Sequence, residues 1–262
     1  MQPNQEAAND TDPTRPVLAL AREIAPGHVN QPHRHLRAQL LHPLAGVMTI
    51  TTDAGIWAAP AHLALWVPAG VEHQVRVYSQ LSLNILCILP EAAPHMPTEC
   101  RLAPMSPLLR ELMARACSLP RNYDPSGPEG RLMGVILDQL QTLSAPPLYL
   151  PVPRDIRLAR LCRHIMEDPA DQSTLPELAE WVGAADRTLL RLFLKETGMS
   201  FRAWRQQARL FVALGKLAAG EPVSSVALDL GYESQSAFIA MFRRALGTTP
   251  GRYFSGGKTA PD

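Results

Sequence analysis

Residues Gly27–Gly46 read GHVNQPHRHLRAQLLHPLAG, with His33 and His35 one residue apart and Gln39 four residues beyond the second. Alternate residues of an extended strand share a face, so a strand here sets two imidazoles side by side. Paired imidazoles suit metal ligation, acid–base work, or the polar patch of a ligand pocket. The pattern alone leaves open an enzyme's active site, the remnant of one, and a sensor's pocket. Trp57 and Trp66 sit in alternating segments and are expected in the core or in a pocket wall. His28, His42, His62 and His95 have no partner by spacing and are expected at the surface or a rim.

The surrounding segments VMTITT, GIWAAP, LALWVP, HQVRVY and LSLNILCIL are short, rich in β-branched or aromatic residues, and punctuated by Gly46, Gly55, Pro60, Pro68 and Gly70. Many short strands at close spacing predict an all-β barrel or sandwich over residues 17–103. From residue 104 the period changes. SPLLRELMARACS and PEGRLMGVILDQLQTL carry apolar residues three and four apart, which predicts a helical hairpin over 104–144. Leu108, Leu112, Met113 and Ala116, with Leu132, Val135, Ile136, Leu140 and Leu143, give it a large apolar surface suited to a dimer seam. Residues 145–155 contain Pro146, Pro147, Pro151 and Pro153 and are expected to be a linker. Residues 1–16 are expected to be a disordered tail, and 255–262 a second tail.

The rest, 156–254, reads as helices arranged in two similar units. In the first, TLPELAEWV has Thr174 as N-cap, Gly183 turns the chain, and a second helix runs from Ala185 or Asp186 to a stop at Gly198. Leu189, Leu192 and Phe193 make its buried stripe, while Arg187, Leu190, Arg191 and Lys195 face outward. Over 187–209 the basic residues are Arg187, Arg191, Lys195, Arg202, Arg205 and Arg209, against Glu196 alone. That imbalance suits a phosphate-lined groove. In the second unit Val223, Val226, Ala227 and Leu230 face inward and Gly231 turns the chain. Ser234 caps the next helix, which buries Phe238, Met241, Phe242 and Leu246 and leaves Ser236, Ala237 and Ala240 outside, near Arg243 and Arg244.

Global charge is uninformative, with 25 Lys+Arg against 24 Asp+Glu. The scattered Cys87, Cys100, Cys117 and Cys162 form no CxxC pair, which disfavours a disulfide framework or a Cys-based zinc site. With no apolar run of signal-peptide or membrane-spanning type, a cytoplasmic protein without a membrane partner is expected.

RTLLRLFLKETGMSFRAWRQQARL, followed by VSSVALDLGYESQSAFIAMFRRALGTTPGRYF, resembles the DNA-binding domain of the AraC/XylS family of transcription regulators over residues 174–253. The resemblance implies two helix-turn-helix units joined by one long helix, about Phe201–Ala219, with each unit's second helix entering a major groove of promoter DNA. By position, Arg187, Leu190 and Arg191 fall where the first helix reads bases, and Ser236, Ala237 and Ala240 where the second does. Lys195, Arg202, Ser234, Gln235 and Arg243 complete the implied DNA-binding set. Ala240 departs from the longer polar residue common there, which shifts the second unit toward gripping phosphates through Gln235, Ser236 and Arg243.

The strand-rich half is similar to the cupin superfamily. Gly27, His33-x-His35, Gln39 and Gly46 match the first cupin motif, with Gln39 in place of the usual Glu. Pro68-Ala-Gly70-Val-Glu-His73 matches part of the second, with His62 in place of its leading glycine. In metal-binding cupins the matching positions are ligands, here His33, His35, Gln39 and His73. The combined resemblance implies a multi-domain β + α regulator and not an enzyme. A small effector would sit in the cupin-like barrel against His33, His35, Gln39, Trp57, Trp66 and His73. A homodimer acting at promoters, with RNA polymerase as a further partner, is implied too. No cofactor is expected. A divalent transition metal in the barrel is the alternative, as a cupin metalloenzyme or a metal-responsive regulator using His33, His35 and His73. Short regulators of this shape and length also suggest control of a neighbouring exporter gene.

Overall fold

A computed structural model describes residues 8–60, 63–140 and 148–255. The described chain divides into two compact units: one runs to Thr52 and again from Trp57 to Leu148, the other takes Asp53–Ile56 and everything from Tyr149. His62 and Leu143 lie outside the described residues, as do the first residues of the expected linker and nearly all of the expected C-terminal tail.

The first unit is built on strands β1 (Val17–Ile24), β2 (Ala38–Ala45), β3 (Met48–Thr51), β4 (Gly55–Ala59, from Trp57 onward in this unit), β5 (Leu63–Val67), β6 (Gln74–Val77), β7 (Leu81–Ile88) and β8 (Arg101–Pro104). One sheet has the order β1-β7-β2-β5-β8 and the other contains β6-β3-β4. Register explains which residues share a face. Gln39 pairs with Cys87, Leu41 with Ile85 and Pro43 with Leu83, so these side chains lie on one face of the larger sheet. Leu40 pairs with Leu86 and Trp66 and belongs to the opposite face. Helices α1 (Pro107–Cys117) and α2 (Pro128–Gln139) form the expected hairpin, and α1 packs on β1 and β7. The hairpin begins at Pro107 and not at 104, because Pro104 pairs with Leu63 at the end of a strand. Met113, Ala116, Ile136 and Leu140 are buried within the unit, which leaves Leu108 and Val135 as the large exposed apolar residues of the seam.

The expected tail is corrected from Ala8 onward. Arg37 is completely buried, and its guanidinium donates to the carbonyls of Asp10, Asp12, Arg15 and Pro16. Ala8 is buried as well, its carbonyl accepting from the Arg37 amide at 2.9 Å. A buried guanidinium must find acceptors, and residues 10–16 are held because they provide them. Tyr123, in the α1–α2 loop, closes the arrangement by donating its hydroxyl to Val17 O at 2.9 Å.

In the second unit the proline-rich stretch is also ordered where it is described. Tyr149–Pro151 is strand β9, and the Tyr149 hydroxyl donates to Ala54 O at 2.7 Å. Gly55 is required there, because a Cβ would meet the Tyr149 ring at 2.4 Å and Leu150 O at 2.6 Å. Asp155 then caps α3 (Ile156–Glu167). Next come α4 (Leu175–Trp181), α5 (Asp186–Thr197), α6 (Phe201–Ala218), α7 (Val223–Asp229), α8 (Gln235–Leu246) and α9 (Pro250–Ser255). The helix pairs α4/α5 and α7/α8 fall where the sequence period sets them, and α6 is the expected long connector. No helix among the described residues is long and apolar enough to cross a membrane.

Candidate functional site

The helix-turn-helix pairs are positioned by local chemistry. The Glu177 carboxylate accepts from the Thr174 amide at 2.6 Å and from its hydroxyl at 2.7 Å, fixing the start of α4. Gly183, at φ 72°, makes the turn that aims α5. Leu189 and Phe193 are fully buried, which turns Arg187, Leu190, Arg191 and Lys195 to solvent. In the second pair, Ser234 accepts from the Ala237 amide at 3.1 Å and caps α8. Phe238, Met241 and Phe242 anchor that helix, so Gln235, Ser236, Ala237, Ala240 and Arg243 are exposed along the other side. All the expected DNA-facing residues are therefore exposed, on α5, α6 and α8 and at the N-cap Ser234, whose hydroxyl is engaged in capping.

Two members of the basic run have another job. Arg205 donates to Ser173 O at 2.6 Å, and Arg209 donates to Pro169 O at 2.7 Å and Asp171 O at 3.1 Å. They tie the loop before α4 to α6. The single acid of the run, Glu196, accepts from the amides of Arg154 and Asp155 at 2.7 and 3.0 Å and holds the entry to α3.

The first unit holds a cavity of about 390 Å³ between its two sheets. Leu41, Leu83 and Ile85 from the larger sheet and Met48 and Val75 from the smaller form its apolar wall. His33, Gln39 and His73 supply polar groups, and Arg22, Glu23, His28 and Asn30 also line it. His33 and His35 precede β2 and are not part of a strand. His33 instead forms an isolated bridge with His73, their amides and carbonyls paired at 3.0 and 2.8 Å. The imidazoles still cluster, with ring centroids 4.7 Å apart for His33–His35, 4.5 Å for His33–His73 and 5.3 Å for His35–His73.

The backbone sets the neutral tautomer of His33 and His73. Nδ1 of His33 lies 2.9 Å from Gln31 O, and Nδ1 of His73 lies 2.9 Å from Val71 O. A carbonyl only accepts, so each Nδ1 carries hydrogen and each neutral ring has a bare Nε2 lone pair. Nε2 of His73 and both ring nitrogens of His35 are buried with no hydrogen-bond partner among the described residues. Burial pulls the His35 pKa down from its ordinary 6.5 to about 4, helped by the neighbouring His33 and His73. Burial lowers that of His73 as well.

Several expected cavity residues are corrected. Trp66 lies across from Leu40 on the face away from Gln39, and its indole N–H donates to Pro97 O at 2.8 Å. Trp57 is buried in the core and does not line the cavity, and His35, packed against His33 and His73, is buried and does not line it either. Gln39 does line it and donates to Cys87 Sγ at 3.9 Å, a long contact of the kind sulfur makes. Of the histidines without a sequence partner, His42 is buried, His28 lines the cavity and His95 is exposed.

Residues 178–256 match a family model described as a helix-turn-helix domain. The chain is 38% identical over 223 residues to the HTH-type transcriptional regulator NimR of Escherichia coli (strain K12), covering 85% of this chain and 81% of that one. It is 40% identical over 118 residues to the HTH-type transcriptional regulator RipA of Corynebacterium glutamicum, covering 45% of this chain and 35% of the other. Among solved structures, ToxT from Vibrio cholerae with a bound unsaturated fatty acid aligns over 94% of this chain and 96% of its own, with a TM-score of 0.40 and 11% identity. The double helix-turn-helix and the length of the NimR match together make this chain a member of the AraC/XylS family, a DNA-binding transcription regulator and not an enzyme.

Proposed function

We propose that a small effector, bound in the cavity of the first unit, controls how the second unit acts at promoters. The observation that carries this reading is the cavity itself: concave, with an apolar wall and converging polar groups at His33, Gln39 and His73. Such cavities are where small ligands bind. The reading extends to a cytoplasmic homodimer joined through the α1/α2 hairpin, where Leu108 and Val135 stay exposed. Dimerisation would double the DNA contacts by effective concentration. RNA polymerase is then the partner at the promoter, and a neighbouring exporter gene the target. Replacing His33 and His73 together by Ala is expected to abolish the transcriptional response in cells while DNA affinity without inducer stays within about twofold, a difference of some 0.4 kcal/mol. Loss of DNA binding in that double variant would contradict the assignment.

A second reading is favoured by one specific feature. The nearest ligand atoms of His33, His35 and His73 all lie within 4.8 Å of one another, and the carbonyls on Nδ1 leave Nε2 of His33 and His73 free to donate an electron pair. A carbonyl on the far nitrogen is the usual support of a metal-bound histidine. The residues therefore fit a divalent transition metal, held by His33, His35 and His73, with Gln39 beside them as a neutral group. A metal there would supply Lewis acidity and vacant positions for an effector to occupy. Near-stoichiometric zinc, nickel or iron in protein purified without chelator, lost in the double variant, supports the metal-responsive reading. A metal-free protein that still responds leaves the histidines as hydrogen-bonding wall.

A further inference from the structure

The second unit contains a cleft of about 400 Å³ that adjoins the expected DNA-facing residues Arg202 and Ala237 and adds arginines beyond that set. Arg202, Arg205 and Arg209 from α6 and Arg244 from α8 line it, with Gln206 and Tyr232 beside them and no carboxylate among the lining residues. Two of the four guanidinium groups are fixed in place. Arg205 is held by Ser173 O and stacks 4.3 Å from the Phe201 ring centroid, and Arg209 is held by Pro169 O and Asp171 O. All these polar partners are neutral carbonyls, so the side chains are positioned without a carboxylate hydrogen-bonded to either guanidinium among the described residues. The neighbouring Asp171 carboxylate is engaged elsewhere, accepting from the Ser173 amide at 2.6 Å and lying 2.8 Å from His164 Nε2. Nε of Arg205 is buried with no hydrogen-bond partner among the described residues. Arg202 and Arg244 are exposed and make no hydrogen bond or ion pair among them.

A concave wall of like charge concentrates its potential and selects an anion. Guanidinium forks match phosphoryl oxygens in geometry. We propose that this cleft seats one phosphoryl group between two fixed arginines, Arg205 and Arg209, and two free ones, Arg202 and Arg244. The DNA backbone is its source, because the cleft lies between the second recognition helix, α8, and the helix that joins the two reading units, α6. Arg244 thereby becomes a DNA contact, and the two helix-turn-helix units share a grip on the strand between their grooves.

The test measures the salt dependence of binding of the full chain to a duplex carrying its site and to a random duplex. Arg244→Ala is expected to reduce the slope of log K against log [salt] by about one unit on both duplexes, as the loss of one phosphate contact does. Base preference is expected to stay unchanged. Arg202→Ala is expected to give the same reduction, and the double variant little more, since both arginines serve one phosphate. Arg244→Lys, which keeps the charge, is expected to restore most of the slope, and an unchanged thermal transition in Arg244→Ala shows the fold to be intact. Inorganic pyrophosphate, titrated calorimetrically into the full chain, distinguishes the source. Pyrophosphate binding that Arg244→Ala abolishes, with an unchanged DNA slope, keeps the phosphoryl site and assigns it to a free phosphorylated molecule. A DNA slope and pyrophosphate titration both identical to wild type in Arg244→Ala overturn the proposal. A wild-type chain that binds no DNA would instead count against the DNA-binding activity itself.

Discussion

Alanine at both Arg187 and Arg191 is expected to cost the full-length protein about 2–6 kcal/mol at its specific site, taking about 1–3 kcal/mol for each bidentate contact to a base. The two side chains lie one turn apart on α5, both exposed, and neither forms an ion pair among the described residues. Opposite them, Leu189 and Phe193 are completely buried, so the helix keeps its packing when the arginines are shortened. The loss should therefore appear in binding and not in folding. Each single variant is expected to relax base preference at one position, because alanine cannot donate to guanine O6 and N7 as the Arg fork does. Fluorescence anisotropy on matched and mismatched duplexes measures both effects. A double variant that binds its site as tightly as wild type would mean that another face of α5 enters the groove.

A second large effect is expected inside the same unit. Trp204 is 1% exposed, and its indole N–H donates to Pro151 O at 2.8 Å. Its ring meets Phe193 edge-on, with centroids 6.1 Å apart. It thus joins three elements, β9, α5 and α6. Trp204→Ala removes the ring, leaves a cavity, and strands the Pro151 carbonyl. Burying so large a ring and losing it costs about 3–5 kcal/mol, with the unpaired carbonyl adding to the penalty. Trp204→Phe keeps most of the volume and should cost clearly less. Denaturant unfolding followed by far-ultraviolet circular dichroism measures the difference, and a loss below about 1 kcal/mol, the level of an ordinary surface change, would show that this hub is not a keystone of the unit.

The helical half was open to reading from sequence because its signals are local. Apolar spacing, glycine stops and Ser or Thr caps each act within one or two turns, so α4 to α8 fall where Gly183, Gly198, Gly231 and Ser234 set them. The strands between Met48 and Ile88 were equally accessible, since glycine and proline bound them. What escaped depends on long-range pairing. Which face a strand residue occupies follows from register, and the Leu40–Trp66 pairing that removes Trp66 from the cavity has no local signature. The packing of residues 8–16 is set by Arg37, some twenty residues further along, and by Tyr123 more than a hundred residues away. A polar, proline-containing segment looks like a free tail until the buried cation that needs its carbonyls is located. The fixed geometry of Arg205 and Arg209 is hidden for the same reason: their charge is visible in sequence, but the carbonyls that position them, at residues 169–173, are not. His33 and His35 cluster with His73 as the two cupin-like motifs imply, although a backbone bridge and not a strand brings them together.

The central claim is that two helix-turn-helix units of one chain read DNA together, with α5 and α8 in successive major grooves. Selection of sites by the full-length chain from random-sequence duplexes tests it most directly. The expected result is an enriched site with two base clusters about one helical turn, roughly 10 base pairs, apart. The cluster read by α5 is expected to contain guanine and to lose that preference when the selection is repeated with Arg191→Ala, while the weaker cluster under Ser236, Ala237 and Ala240 persists. Enrichment of a single cluster, or none above random sequence, would contradict the claim.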